Sequence, residues 1–195
     1  MVAEYQMILR PQTIENAAPD ARAVLEKAKA QVGFIPNMYA NMVNSPGVLD
    51  TYLLGYKAFR EASDFTPAEQ ETVFLTISRV NGCAYCMSAH SMLAEKKSGL
   101  ADAVTAALRD DQPIPDPKLA ALSTFTRQMV EKRGLISKAD AEAFLGAGYA
   151  ERHMLEIVLA IAVKTLSNYS NHLSHTKLDD MFAGHAWNPP KQQAA

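Results

Sequence analysis

A helix that starts at Thr66-Pro67-Ala68-Glu69 and stops at Asn81-Gly82, with a second helical segment directly beyond, leaves this chain little choice. Across Asn81-Gly82 the two helices can fold back on each other as a hairpin. Thr66 is an N-cap residue, Pro67 suits the first helical position, where its missing N–H costs nothing, and Glu69 completes a capping box. Val73, Phe74, Ile77 and Val80 follow as a helical apolar stripe until Asn81-Gly82 breaks the pattern. The next helix is predicted from Cys83 to Lys97, ending at Ser98-Gly99.

Other helices are expected over Ala21 to Gln31 and Gly47 to Arg60, around the turns FIPN and NSPG. Helix starts follow at Asp116-Pro117 and at Ser137-Lys138-Ala139-Asp140, and a long apolar helix is expected over Arg152 to Tyr169. No segment alternates as a strand would, so the fold class is all-α. The three prolines of DDQPIPDPK (Asp110 to Lys118) forbid a continuous helix and mark an internal linker. One domain, residues 1–195, is expected, with a loose tail over 188–195. The helical halves on either side of the linker look related. Under a shift of 85, Glu71 falls on Glu156, Arg79 on Lys164 and His90 on His175, while Cys83 and Cys86 fall on Asn168 and Asn171. This suggests an internal repeat of about 47–109 and 132–182, in which a second hairpin has lost its thiols.

Bulk properties exclude several functions. A formal net charge of -2 does not indicate a polyanion-binding surface, so no nucleic-acid partner is expected. No apolar run approaches the ~20 residues that span a bilayer. The segment MVAEYQMILRPQ lacks the basic and apolar parts of a secretory signal, so a cytoplasmic location is the default. Thiols are kept reduced there, and a stabilising disulfide is an unlikely use for Cys83 and Cys86, the sole cysteines.

That pair lies in NGCAYCMSAH, residues 81–90. Haem attachment needs histidine directly after the second cysteine, and Met87 stands there. Structural zinc normally takes four ligands; Cys83, Cys86 and His90 offer three, with His153, His172, His175 and His185 far along the chain. Burial as small hydrophobes is the plain alternative. A redox dithiol fits better than either, because a helix N-terminus favours a thiolate. Cys86 and His90 are one turn apart on one face, so the imidazole can take the thiol proton. Glu71 lies about 14 Å of helix before the turn and His90 about 10 Å beyond it. In a hairpin the two reach comparable depth, and Glu71 is a candidate to orient the histidine.

The spacing of Glu71, Cys83-Ala84-Tyr85-Cys86 and His90 resembles the signature of the AhpD-like alkylhydroperoxidase branch of the carboxymuconolactone decarboxylase family. The stretches GFIPNMYANMVNSPGVLDTYLLGYKAF and EIVLAIAVKTLSNYSNHLSHTKLD are similar to the segments before and after that motif in peroxidase-related members. The resemblance implies an all-helical fold, assembly into trimers or hexamers, and reduction of hydroperoxides by an external dithiol or redox-protein reductant. By motif position Cys86 would be the attacking thiolate, Cys83 the resolving thiol, His90 the proton relay and Glu71 its holder. No metal or organic cofactor is required. AhpD has a second histidine where this chain has Tyr85; with a pKa near ~10 a tyrosine is a poor base, so Tyr85 is at most an auxiliary residue. Met87, Ala89, Met92 and Leu93 would favour an organic peroxide, or simply pack in the core. His172 and His175 are weighed as surface or packing residues above pocket residues. The alternatives are a disulfide carrier or redox sensor without fast peroxide turnover, and a cofactor-free decarboxylase-like activity.

Overall fold

In the computed structural model, which describes residues 3–189, the helix between Thr66 and Asn81 is buried on every side from Glu69 to Ser78. This helix, α4 (Pro67–Val80), follows α1 (Pro19–Val32), α2 (Asn37–Met42) and α3 (Pro46–Ala62). After it come α5 (Ala84–Leu93), α6 (Asp102–Asp110), α7 (Pro117–Glu131), α8 (Lys138–Gly146) and α9 (Glu151–Ser174). A π-helical turn, Ala94–Ser98, extends α5, and a 3-10 turn, Asp180–His185, crosses back over it. The described residues contain no strand.

The start signals act as expected. Thr66 Oγ1 accepts from the Glu69 N–H at 3.3 Å, and the Glu69 carboxylate accepts from the Thr66 N–H at 2.9 Å. Asp116 caps α7, and Ser137 with Asp140 forms the box that opens α8. The expected one-sided stripe on α4 needs correcting. Residues Glu69 to Ser78 are all buried, because α4 is the central helix, packed by α3-linked side chains, α5, α6, α7 and α9. Its polar residues tolerate this by bonding locally. Thr76 Oγ1 and Ser78 Oγ donate to carbonyls one turn back, and the Gln70 amide donates to the Phe59 and Phe65 carbonyls.

The turn after α4 needs Gly82, whose φ of +67° is left-handed, and the Cys83 N–H then donates to the Ser78 carbonyl at 2.9 Å. The hairpin brings α5 along α4, with Cys83 as N-cap and Cys86 in the first turn. The second half does not repeat this shape. α9 runs unbroken through Leu166 to Asn168, the positions that the shift of 85 pairs with the 81–83 turn. No glycine stands there, and the helix is held by packing on α2, α3 and α4. Of the loose tail expected over 188–195, residues 190–195 lie outside the described residues.

α9 crosses α3 closely at Gly55. A Cβ there would lie 2.9 Å from Val163 Cγ2, a stiff side chain buried in the core. Gly55→Ala gains about 1 kcal/mol of helix propensity but overpacks this contact by about 1–3 kcal/mol. The expected net result is a lower midpoint of thermal unfolding. A raised midpoint would show that α3 and α9 have room to spare.

Candidate active site

Glu71, near the middle of α4, and His90, near the end of α5, meet as their depths in the hairpin require. His90 Nδ1 donates to Glu71 Oε2 at 2.8 Å, and both side chains are buried. The carboxylate fixes the tautomer and leaves Nε2 as the acceptor. The other carboxylate oxygen, Oε1, is held by the Arg60 guanidinium from α3 and, at 3.5 Å, by the Ser98 hydroxyl. Arg60 also bonds Tyr56 and Gln70, and stacks over the Tyr56 and Phe74 rings at 5.0 and 4.8 Å. Burial pushes the Glu71 carboxyl up, but His90 and Arg60 more than offset this and hold it below its ordinary value. Burial, assisted by the positive charge of Lys164, holds the His90 imidazole below its ordinary value and so neutral.

Both cysteines are reduced and buried. They are not equivalent. Cys86 lines a cavity of about 670 Å³ together with Glu71, His90 and Tyr85, whereas Cys83 does not reach it. Asn171 Nδ2, from α9, donates to Cys86 Sγ at 3.4 Å and lies 3.7 Å from Cys83 Sγ; Ser167 Oγ is 3.8 Å from Cys86 Sγ. Burial pushes the Cys86 thiol up, but the hydrogen bond from Cys83, the charges of Lys164 and His90 and the Ser167 hydroxyl outweigh it and hold it well below the usual thiol range. Burial and the neighbouring Cys86 push Cys83 well above that range. The more acidic thiol thus faces the cavity and the less acidic one lies behind it, beside a histidine whose Nε2 can accept a hydrogen bond.

Aromatic rings wall the cavity: Tyr39, Tyr52 and Tyr56 follow one another at centroid distances of 5.6–5.7 Å, with Phe74 stacked behind Tyr56, and Phe34, Tyr85 and Phe182 add to the lining. Ala89, Met92 and Leu93 do line it. Met87 does not; it faces a second, smaller core with Leu75, Leu100 and Trp187, because α5 turns opposite faces to the two cores. His172 and His175 lie outside the lining. Among the described residues, no three His, Cys, Asp or Glu side chains converge as a metal ion would need, and no helix is long and apolar enough to cross a membrane.

Tyr85 has a structural partner. Its hydroxyl donates to Asp179, which also accepts from the Asn37 N–H and so ties the segment after α9 and the start of α2 to α5. Burial and this carboxylate push the phenol far above its ordinary value, so it does not serve as a base. Tyr85→Phe is expected to cost about 1.5–3 kcal/mol, the worth of a hydrogen bond to a charged group. The shape of the pH–activity profile should not change. A lost alkaline limb in that profile would assign Tyr85 a proton-transfer role after all.

Sequence reasoning missed Arg60, Ser167, Asn171 and Lys164. The first three are brought in by tertiary contacts alone. Lys164 carried a local signal, since it is the one charged residue within IVLAIAVKTL.

An all-helical protein with a CxxC at a helix N-terminus and a buried Glu–His pair behind it is the class that this fold and site define. Residues 46–128, from α3 through most of α7, match the carboxymuconolactone decarboxylase family. Solved structures agree over most of the chain. A peroxidase-related protein with an alkylhydroperoxidase AhpD core, from Ralstonia eutropha JMP134, superposes with a TM-score of 0.75 at 22% identity, covering 89% of this chain and 93% of that one. A peroxidase-related protein from Silicibacter sp. TM1040 gives 0.72 at 18% identity, covering 92% and 99%. The debrominase Bmp8, solved as a cysteine-to-alanine variant with 2,3,4-tribromopyrrole, gives 0.73 at 16% identity, covering 92% and 96%. At these identities the likeness establishes the fold. No curated protein matches in sequence.

Proposed function

We propose that the protein reduces organic hydroperoxides with its own dithiol. The observation that carries this reading is the asymmetry of the pair: Cys86 faces an aromatic cavity as the acidified thiol, and Cys83 waits behind it, protonated. The Cys86 thiolate attacks the distal peroxide oxygen, the O–O bond breaks, and the leaving alkoxide takes a proton to become the alcohol. Cys83 then attacks the sulfenic sulfur, releasing water and closing the disulfide. His90, held by Glu71, shuttles the protons. A dithiol or redox-protein reductant from a reducing cytoplasm resets the pair, and neither metal nor organic cofactor takes part.

The test is consumption of cumene hydroperoxide with dithiothreitol as reductant. Sustained turnover supports the reading. A disulfide that forms without turnover makes the protein a carrier or sensor instead. The debrominase likeness and the aromatic walls favour one second reading, in which the same dithiol removes halide from an aromatic ring. Bromide release from a bromopyrrole, with no peroxide consumption, would select it.

The chain is further proposed to assemble with itself, as trimers or hexamers. Leu155, Val158, Tyr169 and Leu173 form an exposed apolar stripe along α9, and Leu54 of α3 is exposed as well. Light scattering should read three or six copies; a monomer at micromolar concentration would overturn this.

A further inference from the structure

Lys164 is the largest unexplained charge in the molecule. Its side chain is fully buried at the centre of α9, and its Nζ has no hydrogen-bond partner. The Phe74 ring lies 5.3 Å from that nitrogen and 4.9 Å from the His90 ring, so the ammonium stands close behind the Glu–His pair. A buried cation without an anion is costly. Glu71 cannot supply the anion, because both its oxygens are committed to Arg60 and His90. One turn on from Lys164, on the same face of α9, Ser167 approaches Cys86 Sγ, and Asn171 a turn further donates to it. The helix thus brings Ser167 and Asn171 to one sulfur, with Lys164 on the same face a turn before them.

We propose that the Lys164 ammonium, rather than a protonated His90, is the resting counter-ion of the Cys86 thiolate. The inference rests on Cys86 being the nucleophile, but it holds for any reaction that this thiolate begins. A charged His90 would lower the thiol as well, but less than Lys164 does, and the remaining ionisable groups around the sulfur do not compete. Glu71 and Arg60 neutralise each other. Burial keeps the phenols of Tyr39, Tyr52 and Tyr56 protonated. Tyr85 is bound to Asp179, and Cys83 is held protonated by burial. His172, further along α9, is held below its ordinary value, again by burial first. The charge of Lys164 lowers Cys86 and His90 together, which favours the thiolate and disfavours the imidazolium. His90 therefore rests neutral, with Nε2 free to accept the next proton of the cycle. Lys164 is a positioning residue here: it acts through the thiolate and meets no substrate.

The test is the pH dependence of iodoacetamide alkylation of Cys86 in the full chain carrying Cys83→Ser, which needs no peroxide and so is independent of the peroxidase reading. Lys164→Met should raise the alkylation midpoint by about one pH unit or more, a tenfold change in thiol ionisation. His90→Gln should move it less than Lys164→Met does. A purely structural lysine would change the unfolding temperature and leave the midpoint in place. An unmoved midpoint in Lys164→Met overturns the proposal. So does a His90→Gln shift as large as that of Lys164→Met or exceeding one unit, and this second arm decides the matter if neither Lys164→Met nor Lys164→Gln folds.

Discussion

Serine in place of Cys86 is expected to abolish hydroperoxide turnover, by at least about 10³-fold, whereas serine in place of Cys83 should permit one turnover that stops at a sulfenic acid. The two variants differ because the cysteines occupy different surroundings three residues apart. Cys86 borders the cavity, takes a hydrogen bond from Asn171 and is held well below the usual thiol range by Cys83, Lys164, His90 and Ser167 against the opposing effect of burial. Cys83 sits at the helix cap, away from the cavity, where burial raises it. A serine at 86 offers no anion at neutral pH, and the peroxide meets no nucleophile. A serine at 83 leaves the first step intact and removes the second. Trapping with a sulfenic-acid reagent separates the cases: label in Cys83→Ser and none in Cys86→Ser. The reverse pattern would exchange the roles.

The second large effect is expected at Glu71. Its two oxygens compensate Arg60 on one side and orient His90 on the other, wholly out of water. Glu71→Ala leaves the guanidinium without its anion and should cost about 3–5 kcal/mol of stability, the usual penalty for breaking a buried pair. It should also slow turnover by about 10²-fold or more, since His90 loses the carboxylate that sets its tautomer. Unfolding in urea reads the first effect and steady-state kinetics the second. The same groups set the response to acid. The folded His90 lies below the ordinary imidazole value of 6.5 and the folded Glu71 below the ordinary carboxyl value of 4.5. Both contribute stability that is complete above those unfolded values. As pH falls below 6.5 the unfolded chain takes up the histidine proton first, and below 4.5 the carboxyl proton, until the depressed folded values are reached. Stability should therefore fall in two stages on acidification. Glu71→Gln should weaken the lower stage, to which Glu69 and Asp140, also held below their ordinary values, still contribute; an unchanged acid limb in that variant would place the sensitivity elsewhere.

What could be read before folding was local. Thr66-Pro67-Ala68-Glu69, Asp116-Pro117 and Ser137 to Asp140 mark helix starts by hydrogen bonds within a single turn, and each cap forms as written. α9 was expected to end at Tyr169 yet continues to Ser174, because Asn171 is packed against the cysteines and does not fray. α2 has six residues, too few to display a helical period, and α6 escaped notice although Val104, Ala107 and Leu108 supply its buried face. Glu71, Cys86 and His90 could be placed together because a single turn relates their helices. Arg60, Ser167 and Asn171 reach the site from α3 and α9, and no spacing within the chain relates those helices to the hairpin. Tyr85 carried half its meaning: that it is no base was legible from its chemistry, but its bond to Asp179 is a contact across 94 positions.

The central claim is that Cys83 and Cys86 act as one redox pair on a peroxide. Its most direct test is the thiol count and intact mass of the reduced chain before and after one equivalent of an organic hydroperoxide. The expected result is loss of both thiols and about 2 Da, restored by dithiothreitol. Both thiols persisting at unchanged mass would contradict it.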